Sequence, residues 1–208
     1  MLQVQVTREH YNFKDYMTKE RWCSLWHQVF EIAILKPRSV LEIGVGSGLL
    51  KAILLQLSIP VTSVDLDPEL QPDYVASIEC LPFKDNLFDV VCAFQVLEHL
   101  PYESSLNAFR ELARITSEYV IISLPNSRTL WRYLIHIPKL GILNFAIPRP
   151  EIHAPEHHFD GQHYWEIGKR GFSTQKVVKD LSEIMKLAKS YRVSEYPYHH
   201  FFVFRKNK

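Results

Sequence analysis

The chain has 208 residues, with 24 Lys and Arg against 23 Asp and Glu, a formal net charge of +1; this removes any global electrostatic case for nucleic acid and leaves only local patches. A hydrophobic content of 47% suits one domain with a large core, taken as residues 1–208. Cys23, Cys80 and Cys92 form no CxxC pair, no apolar run reaches the ~18 residues of a bilayer span, and the first residues lack a signal-peptide core, so a soluble cytoplasmic protein is expected.

Residues 1–16 are polar and aromatic without a clear period. From Met17 to Lys36, Trp22, Leu25, Trp26, Val29, Ile32 and Ala33 recur at helical spacing, and Pro37 ends the run. Residues 1–36 are read as an N-terminal cap. Val40, Leu41 and Ile43 predict a strand, Gly44, Gly46 and Gly48 a tight loop, and Leu49, Leu50, Ile53, Leu54 and Leu57 a helix that Pro60 stops. A second β-like run, Val61–Val64, ends at Asp65. Tyr74–Ser77 reads as a short extended stretch and Lys84-Asp85-Asn86 as a surface turn, with Asp89 at the start of a buried strand, Phe88–Phe94. Tyr102–Thr116 is helical, with Leu106, Phe109, Leu112 and Ala113 on one side, and Tyr119–Leu124 is a further buried strand closed by Pro125-Asn126. Alternating strands and helices predict an α/β sheet with right-handed crossovers.

Residues 127–172 break that rhythm. Pro138, Pro148, Pro150 and Pro155 forbid a long helix, Leu130–Ile137 is given two helical turns, and the whole stretch reads as a lid or substrate insertion. Ser173 then caps a helix, with Phe172 stapled to Val177 and a buried face of Val177, Val178, Leu181, Ile184, Met185 and Ala188. Arg192–Tyr196 and His200–Phe204, joined through Pro197-Tyr198, predict a terminal antiparallel hairpin.

Strand, glycine loop, helix, strand and acidic residue build a nucleotide-sized site at a sheet edge. Asp65 lies 21 residues after Gly44, the right distance to accept hydrogen bonds from ribose hydroxyls. The loop is GxGxG, and Leu49 stands where a dinucleotide fingerprint has its third glycine. Glu42, two residues before the first glycine, is awkward for a pyrophosphate and suits a cation instead. S-adenosylmethionine carries both an amino group and a sulfonium. A nicotinamide oxidoreductase and a non-catalytic cofactor-binding module are the competing readings.

VLEIGVGSG, VTSVDLDPEL, LPFKDNLFDVV and QVLEHL, in this order and spacing, resemble the class I S-adenosylmethionine-dependent methyltransferases of the type 11 group, over roughly Arg38–Asn126. The resemblance implies a Rossmann-like, doubly wound, seven-stranded and mostly parallel sheet with a C-terminal antiparallel hairpin, and S-adenosyl-L-methionine as cofactor. It sets Gly44, Gly46 and Gly48 against the methionyl and ribose parts, Glu42 beside the loop and amino group, and Asp65 on the ribose. Leu66 falls on the adenine face, Gln95 near the transferred methyl, and His99 at the rim. His99 could equally be a structural cap on the QVLEHL turn. Family members often have an acidic adenine contact where this chain has Ser77; the Ser77 side chain and the Ile78 backbone take its place, with Glu79 as a fallback.

The segment HAPEHHFDGQHYW, His153–Trp165, holds four of the ten histidines. His153 and His157 have i,i+4 metal-ligand spacing, which Asp160 or Glu156 could complete, but Pro155 opposes a helix there. A solvated loop and a substrate-binding loop are the other readings; no metal is assigned. Substrate binding is favoured, because in the implied fold this segment crosses above the strand ends. His157, His158 and His163 are candidate general bases for a hydroxyl acceptor, and Tyr16, Asn126, Tyr164 and Trp165 are candidate substrate contacts. The apolar run Leu130–Ile147 either packs on the sheet or walls a lipophilic acceptor, with Arg132 and Lys139 toward an anionic group or a membrane surface. The expected activity is in-line methyl transfer to a small-molecule acceptor. No stable nucleic-acid complex is expected, RNA or protein acceptors stay open, and peripheral membrane contact is an option.

Overall fold

The computed structural model describes residues 8–150 and 153–206. Helix α1, Lys19–Ala33, starts at Thr18, whose side chain accepts from the Arg21 amide. Strand β1 is Val40–Ile43, buried at all four positions, as a strand covered on both faces must be. Helix α2, Leu49–Gln56, begins at Gly48 and leads into β2, Val61–Asp65. A short β3, Tyr74–Val75, precedes β4, Phe88–Phe94, helix α3, Tyr102–Ile115, and β5, Thr116–Pro125. Helix α4, Thr174–Ser182, and strands β8, Lys186–Arg192, and β9, His199–Arg205, complete the sheet. Between β5 and α4 lies a separate two-stranded ribbon, β6, Leu130–Ile137, and β7, Gly141–Pro148.

The main sheet has seven strands in the order β3-β2-β1-β4-β5-β9-β8. The first five are parallel to one another, β9 runs antiparallel to β5, and β8 antiparallel to β9. One core layer joins the sheet to α3 and α4 through Phe109, Leu112, Leu181, Phe202 and Phe204. The opposite layer joins it to α1 and α2 through Ile32, Leu54, Val90, Ile121 and Val203. Strand order reverses between β1 and β4, so a crevice opens at their carboxyl ends. No helix among the described residues is long and apolar enough to cross a membrane.

Two local expectations are corrected. Leu130–Ile137 is a strand, not two helical turns: its β-branched and aromatic residues find an antiparallel partner across a turn at Pro138–Leu140, where Lys139 (φ 72°) and Gly141 (φ 96°) take the left-handed conformation. The last helix stops at Ser182, and after a turn Lys186–Arg192 pair with β9 as an edge strand. The earlier arm of the terminal hairpin is therefore Lys186–Arg192; only Arg192 of the expected Arg192–Tyr196 lies in it. Basic residues at Lys186, Lys189 and Arg192 suit that exposed edge.

Helix α1 is keyed to the hairpin by polar contacts. The buried Glu31 carboxylate accepts from Lys189 Nζ at 2.6 Å and from the Tyr191 hydroxyl at 2.9 Å, and Ser24 Oγ meets His199 Nδ1 at 2.7 Å. Glu31→Ala removes the acceptor shared by both donors; Lys189 can turn to water and Tyr191 keeps His27 Nδ1 at 3.1 Å, so a loss of about 1 kcal/mol is expected. It should appear as a lower urea midpoint at unchanged slope; an unmoved midpoint would show that α1 docks by apolar packing alone.

Candidate functional site

The glycine loop and the end of β2 are locked together by one carboxylate. Asp65 Oδ2 accepts from the Val45 amide at 2.7 Å and Oδ1 from the Asp67 amide at 3.0 Å. Gly44 has φ +84°, and a Cβ there would lie 2.7 Å from Val96 Cγ2, so this position demands glycine on both counts. Gly48 (φ +73°) lets the chain enter α2 in the left-handed conformation. Beneath the loop, Glu42 is buried with its Oε2 unpartnered. Burial pushes its carboxyl up to about 8; Lys51 partly offsets this, while Asp65 and Asp73 add to it. Gln95, at the end of β4, holds φ +56° although it is not glycine, and its side-chain Nε2 donates to Ser123 Oγ at 3.1 Å. Backbone strain of this kind persists where surrounding contacts over-determine it.

These groups face an open cavity of about 710 Å³. Arg21, Leu25 and Gln28 of α1 form its second wall, with Tyr11 and Tyr16 before them. Tyr11 and Tyr16 meet edge to face at 5.0 Å, and the Arg21 guanidinium lies 4.2 Å from the Tyr16 ring centre. Burial pushes the Tyr11 hydroxyl pKa up. His199 also lines the cavity, and burial, with Arg21 nearby, lowers it to about 3, so it is neutral.

The third wall comes from the short 3₁₀ turn Leu97–His99 and from residues 159–164. Here His99 Nδ1 donates to the Gln162 carbonyl at 3.1 Å, and the His99 and His163 rings meet edge to face at 5.1 Å. His163 Nδ1 is 2.9 Å from Glu166 Oε1, which also accepts from the Tyr198 hydroxyl at 2.5 Å. Burial, then His163, pulls His99 down to about 4. For His163 burial pulls downward, but Glu166 and Glu98 outweigh it and the net shift is upward. Glu98 is fully buried behind these rings; burial pushes it up to about 8, and neither carboxylate oxygen has a hydrogen-bond partner.

Of the residues singled out from the sequence, Tyr16, Glu42, Gly44, Gly46, Asp65, Leu66, Ile78, Gln95, His99, His163 and Tyr164 line the cavity. The others stand apart from its lining. Gly48 serves the helix entry. Ser77 Oγ accepts from the Glu79 amide in a local turn. Asn126 is buried and donates to His200 Nδ1 at 3.0 Å. Trp165 is a core residue whose indole donates to Ser105 Oγ at 3.0 Å. His157 Nε2 bonds the His163 carbonyl at 2.8 Å, which props the loop, and His158 is exposed. The sequence reading missed Tyr11, Arg21, Gln28, Tyr198 and His199. Arg21 and Gln28 carried a signal: they share one face with Leu25 at helical spacing, two polar residues in an otherwise buried stripe.

A family model described as Methyltransferase domain matches residues 41–122. A ubiquinone biosynthesis O-methyltransferase of Xanthomonas campestris pv. campestris is 38% identical over 77 residues, 30% of this chain and 32% of that protein. An uncharacterized protein of Methanocaldococcus jannaschii is 40% identical over 47 residues, 23% of this chain and 21% of that one. The matches thus span about a fifth to a third of these relatives. Among solved structures, the 1,6-didemethyltoxoflavin-N1-methyltransferase of Burkholderia thailandensis, with bound 1,6-didemethyltoxoflavin and S-adenosylhomocysteine, superposes with a TM-score of 0.65 at 18% identity, covering 96% of this chain and 85% of its own. Magnesium protoporphyrin IX methyltransferase of Synechocystis, with bound S-adenosylmethionine, gives 0.63 at 16%, covering 96% and 90%. At these identities the structural likeness shows the fold.

Proposed function

We infer that this chain is a class I S-adenosylmethionine-dependent methyltransferase, whose cavity binds S-adenosyl-L-methionine and delivers its methyl group to a small-molecule acceptor. The observation that carries this is Asp65, at the carboxyl end of β2, bound to the glycine loop and facing the same cavity as the buried, unpartnered Glu42. Asp65 retains acceptor capacity for the ribose hydroxyls. Gly44 and Gly46 admit the methionyl chain closely, Leu66 and Ile78 flank the adenine, and Glu42 receives the amino group. Ile78 takes the adenine role through its backbone, since Ser77 is occupied with Glu79. The curated relatives named for ubiquinone biosynthesis favour a small molecule as acceptor. The working compartment is the cytoplasm, where unpaired thiols such as Cys23 and Cys80 stay reduced.

Methyl transfer needs alignment more than activation. The acceptor's lone pair forms a bond to the methyl carbon as the sulfur–carbon bond breaks, and the sulfonium becomes a neutral thioether. Strained Gln95, rigid on Ser123, and the ring of Tyr11, Tyr16 and Arg21 hold the two reactants in line.

The ribbon carries a second role, docking on an anionic membrane surface. On one face the cross-strand pairs Trp131–Ile147, Tyr133–Phe145 and Ile135–Leu143 present six large apolar side chains, each 41–51% exposed. That is an uncommon patch for a free surface. The segment 127–149 has Arg128, Arg132, Lys139 and Arg149 and no acidic residue, so its charge complements anionic lipid. On the other face Arg132 Nη1 donates to the Glu195 carbonyl at 2.8 Å, while Leu134 and Ile142 are exposed there as well, so the ribbon offers apolar side chains on both faces. A lipophilic acceptor would be met at that surface.

S-adenosylhomocysteine should raise the unfolding midpoint and NADH should not. Asp65→Ala is expected to weaken S-adenosylhomocysteine binding about 10- to 100-fold with the circular dichroism of a folded protein; normal binding would refute the ribose assignment. Glu42 predicts a proton signature: at pH 7, below its shifted pKa of about 8, the carboxyl is largely protonated and must ionise to pair with an ammonium. Calorimetry in buffers of different ionisation enthalpy should therefore report protons released on binding, and Glu42→Gln should abolish the release. For the ribbon, the protein should sediment with phosphatidylglycerol vesicles but not with neutral phosphatidylcholine ones. Salt should weaken this, and combined Trp131→Ser, Phe145→Ser and Ile147→Ser should remove it. Concentration-dependent dimerisation without vesicle binding would assign the face to a second copy instead.

A further inference from the structure

We propose that Arg21 is the anion-binding group of the acceptor subsite, and that the molecule methylated here carries a carboxylate. The substrate class rests on the methyltransferase reading; carboxylate binding at Arg21 does not.

The cavity is unequal in charge. Its lining holds the acids Glu42, Asp65 and Asp67 and, among the described residues, a single arginine or lysine, Arg21. The half-buried guanidinium lies 4.2 Å from the Tyr16 ring centre, and no acid among the described residues pairs with it. A ring face holds a guanidinium by its charge and leaves N–H donors of its edge for another partner. Those donors form a planar fork that matches a carboxylate.

Arg21 stands away from the cofactor's half of the cavity. It lies one turn of α1 before Ser24, whose Oγ meets His199 Nδ1 at 2.7 Å. His199 is paired with Pro125 at the carboxyl end of β5, and its lowered pKa, due to burial and then to Arg21, agrees with a guanidinium on that side. Glu42 and Asp65 belong to β1 and β2, across β4 from there. Neighbouring strands lie about 4.8 Å apart, so His199 is on the order of 14 Å from the end of β1. The cofactor's own carboxylate shares a carbon with the amino group that Glu42 receives, which keeps it near the β1 loop. Tyr11 covers that loop: a Cβ on Gly46 would lie 3.5 Å from its ring. Tyr16 meets Tyr11 at 5.0 Å, and Arg21 lies over Tyr16. The row Gly46, Tyr11, Tyr16, Arg21 therefore leads out of the cofactor's half and into the half over β5.

One guanidinium balances one negative charge. A phosphate dianion would bring a second into a cavity already lined by three acids, so a carboxylate is the better match. Leu25 and Gln28 continue the same face of α1, and Phe94 faces them from the end of β4. A cation, an amide and apolar walls suit a flat carboxylated ring with a hydroxyl or amino group as the methyl acceptor. The carboxylate takes no part in the bond change. It fixes the line along which that group's lone pair meets the methyl carbon, while the sulfur–carbon bond breaks and the group's proton passes to water.

Full-length protein loaded with S-adenosylhomocysteine should be titrated with benzoate, neutral benzamide and phenyl phosphate, read by saturation-transfer NMR and calorimetry. We expect benzoate to bind about tenfold or more tighter than benzamide, Arg21→Gln to erase that preference and Arg21→Lys to keep part of it. S-adenosylhomocysteine affinity should change by less than about threefold in both variants, which also certifies their fold. A loss of about tenfold or more in Arg21→Gln, with the circular dichroism of a folded protein, would give the arginine to the cofactor's own carboxylate and overturn the proposal. So would a wild-type chain that binds S-adenosylhomocysteine and favours benzoate no more than benzamide. Phenyl phosphate bound more tightly than benzoate through Arg21 overturns the carboxylate class. A benzoate preference lost in Arg21→Gln, in a chain that never binds S-adenosylhomocysteine, upholds the anion site and overturns the methyltransferase reading.

Discussion

The Asp65 carboxylate is the tie on which the rest of the cavity depends. With one oxygen on the Val45 amide and the other on the Asp67 amide, it joins the glycine loop after β1 to the turn after β2. The Gly44 amide, on the Val64 carbonyl at 2.9 Å, adds a backbone bond between the same two segments. In the loop so held, Gly44 lies against Val96, where a Cβ would come within 2.7 Å of Cγ2. The β4 end is then pressed into its own strained turn, with Gln95 at φ +56° and its backbone amide on the Ser123 carbonyl at 3.0 Å. Three strand ends thus form one rigid rim, and the remaining walls are laid against it.

Among the described residues, the buried side-chain oxygens without a partner belong to only two residues, Glu42 and Glu98. Both sit behind this one cavity, at the ends of different elements. Elsewhere buried polar groups are satisfied: Glu31 by Lys189 and Tyr191, Ser105 by Leu97, Asn126 by His200. A fold that pairs its interior polar groups so consistently leaves two carboxylates unmatched where ligands enter. Burial pushes both carboxyls up to about 8, so each stays largely protonated near neutral pH until a positive group meets it.

Much of this was legible in the sequence, for identifiable reasons. Strands buried on both faces read as continuous apolar runs, and the glycine loop followed by Asp65 reads as a turn with a fixed chemical purpose, so the parallel half of the sheet and its lip emerge directly. The ribbon did not. Its apolar residues were read as helical turns because a short apolar run has no decisive period, and only the partner strand across Gly141 settles the matter. The last helix was drawn too long because Ile184, Met185 and Ala188 extend the 3.6 spacing by chance, whereas β9 offers a free edge that takes the chain from Lys186 onward.

The site was least legible where it is built by residues distant in sequence. Tyr198 and Glu166 meet across 32 positions, Ser24 and His199 across 175, and no local pattern reports either contact. The histidine-rich segment shows the same limit. Its four histidines look alike in sequence, but the fold gives them different work: His163 faces the cavity, His157 props the His163 carbonyl, and His153 and His158 are exposed. What distinguishes His163 is Glu98, 65 residues earlier in the QVLEHL turn, buried where His163 approaches it. A buried acid immediately before a cavity-lining histidine, met by a second histidine from the loop between the ribbon and α4, is a pairing set by topology. The parallel sheet supplies it by ending β4 beneath the path the chain must take on leaving β5.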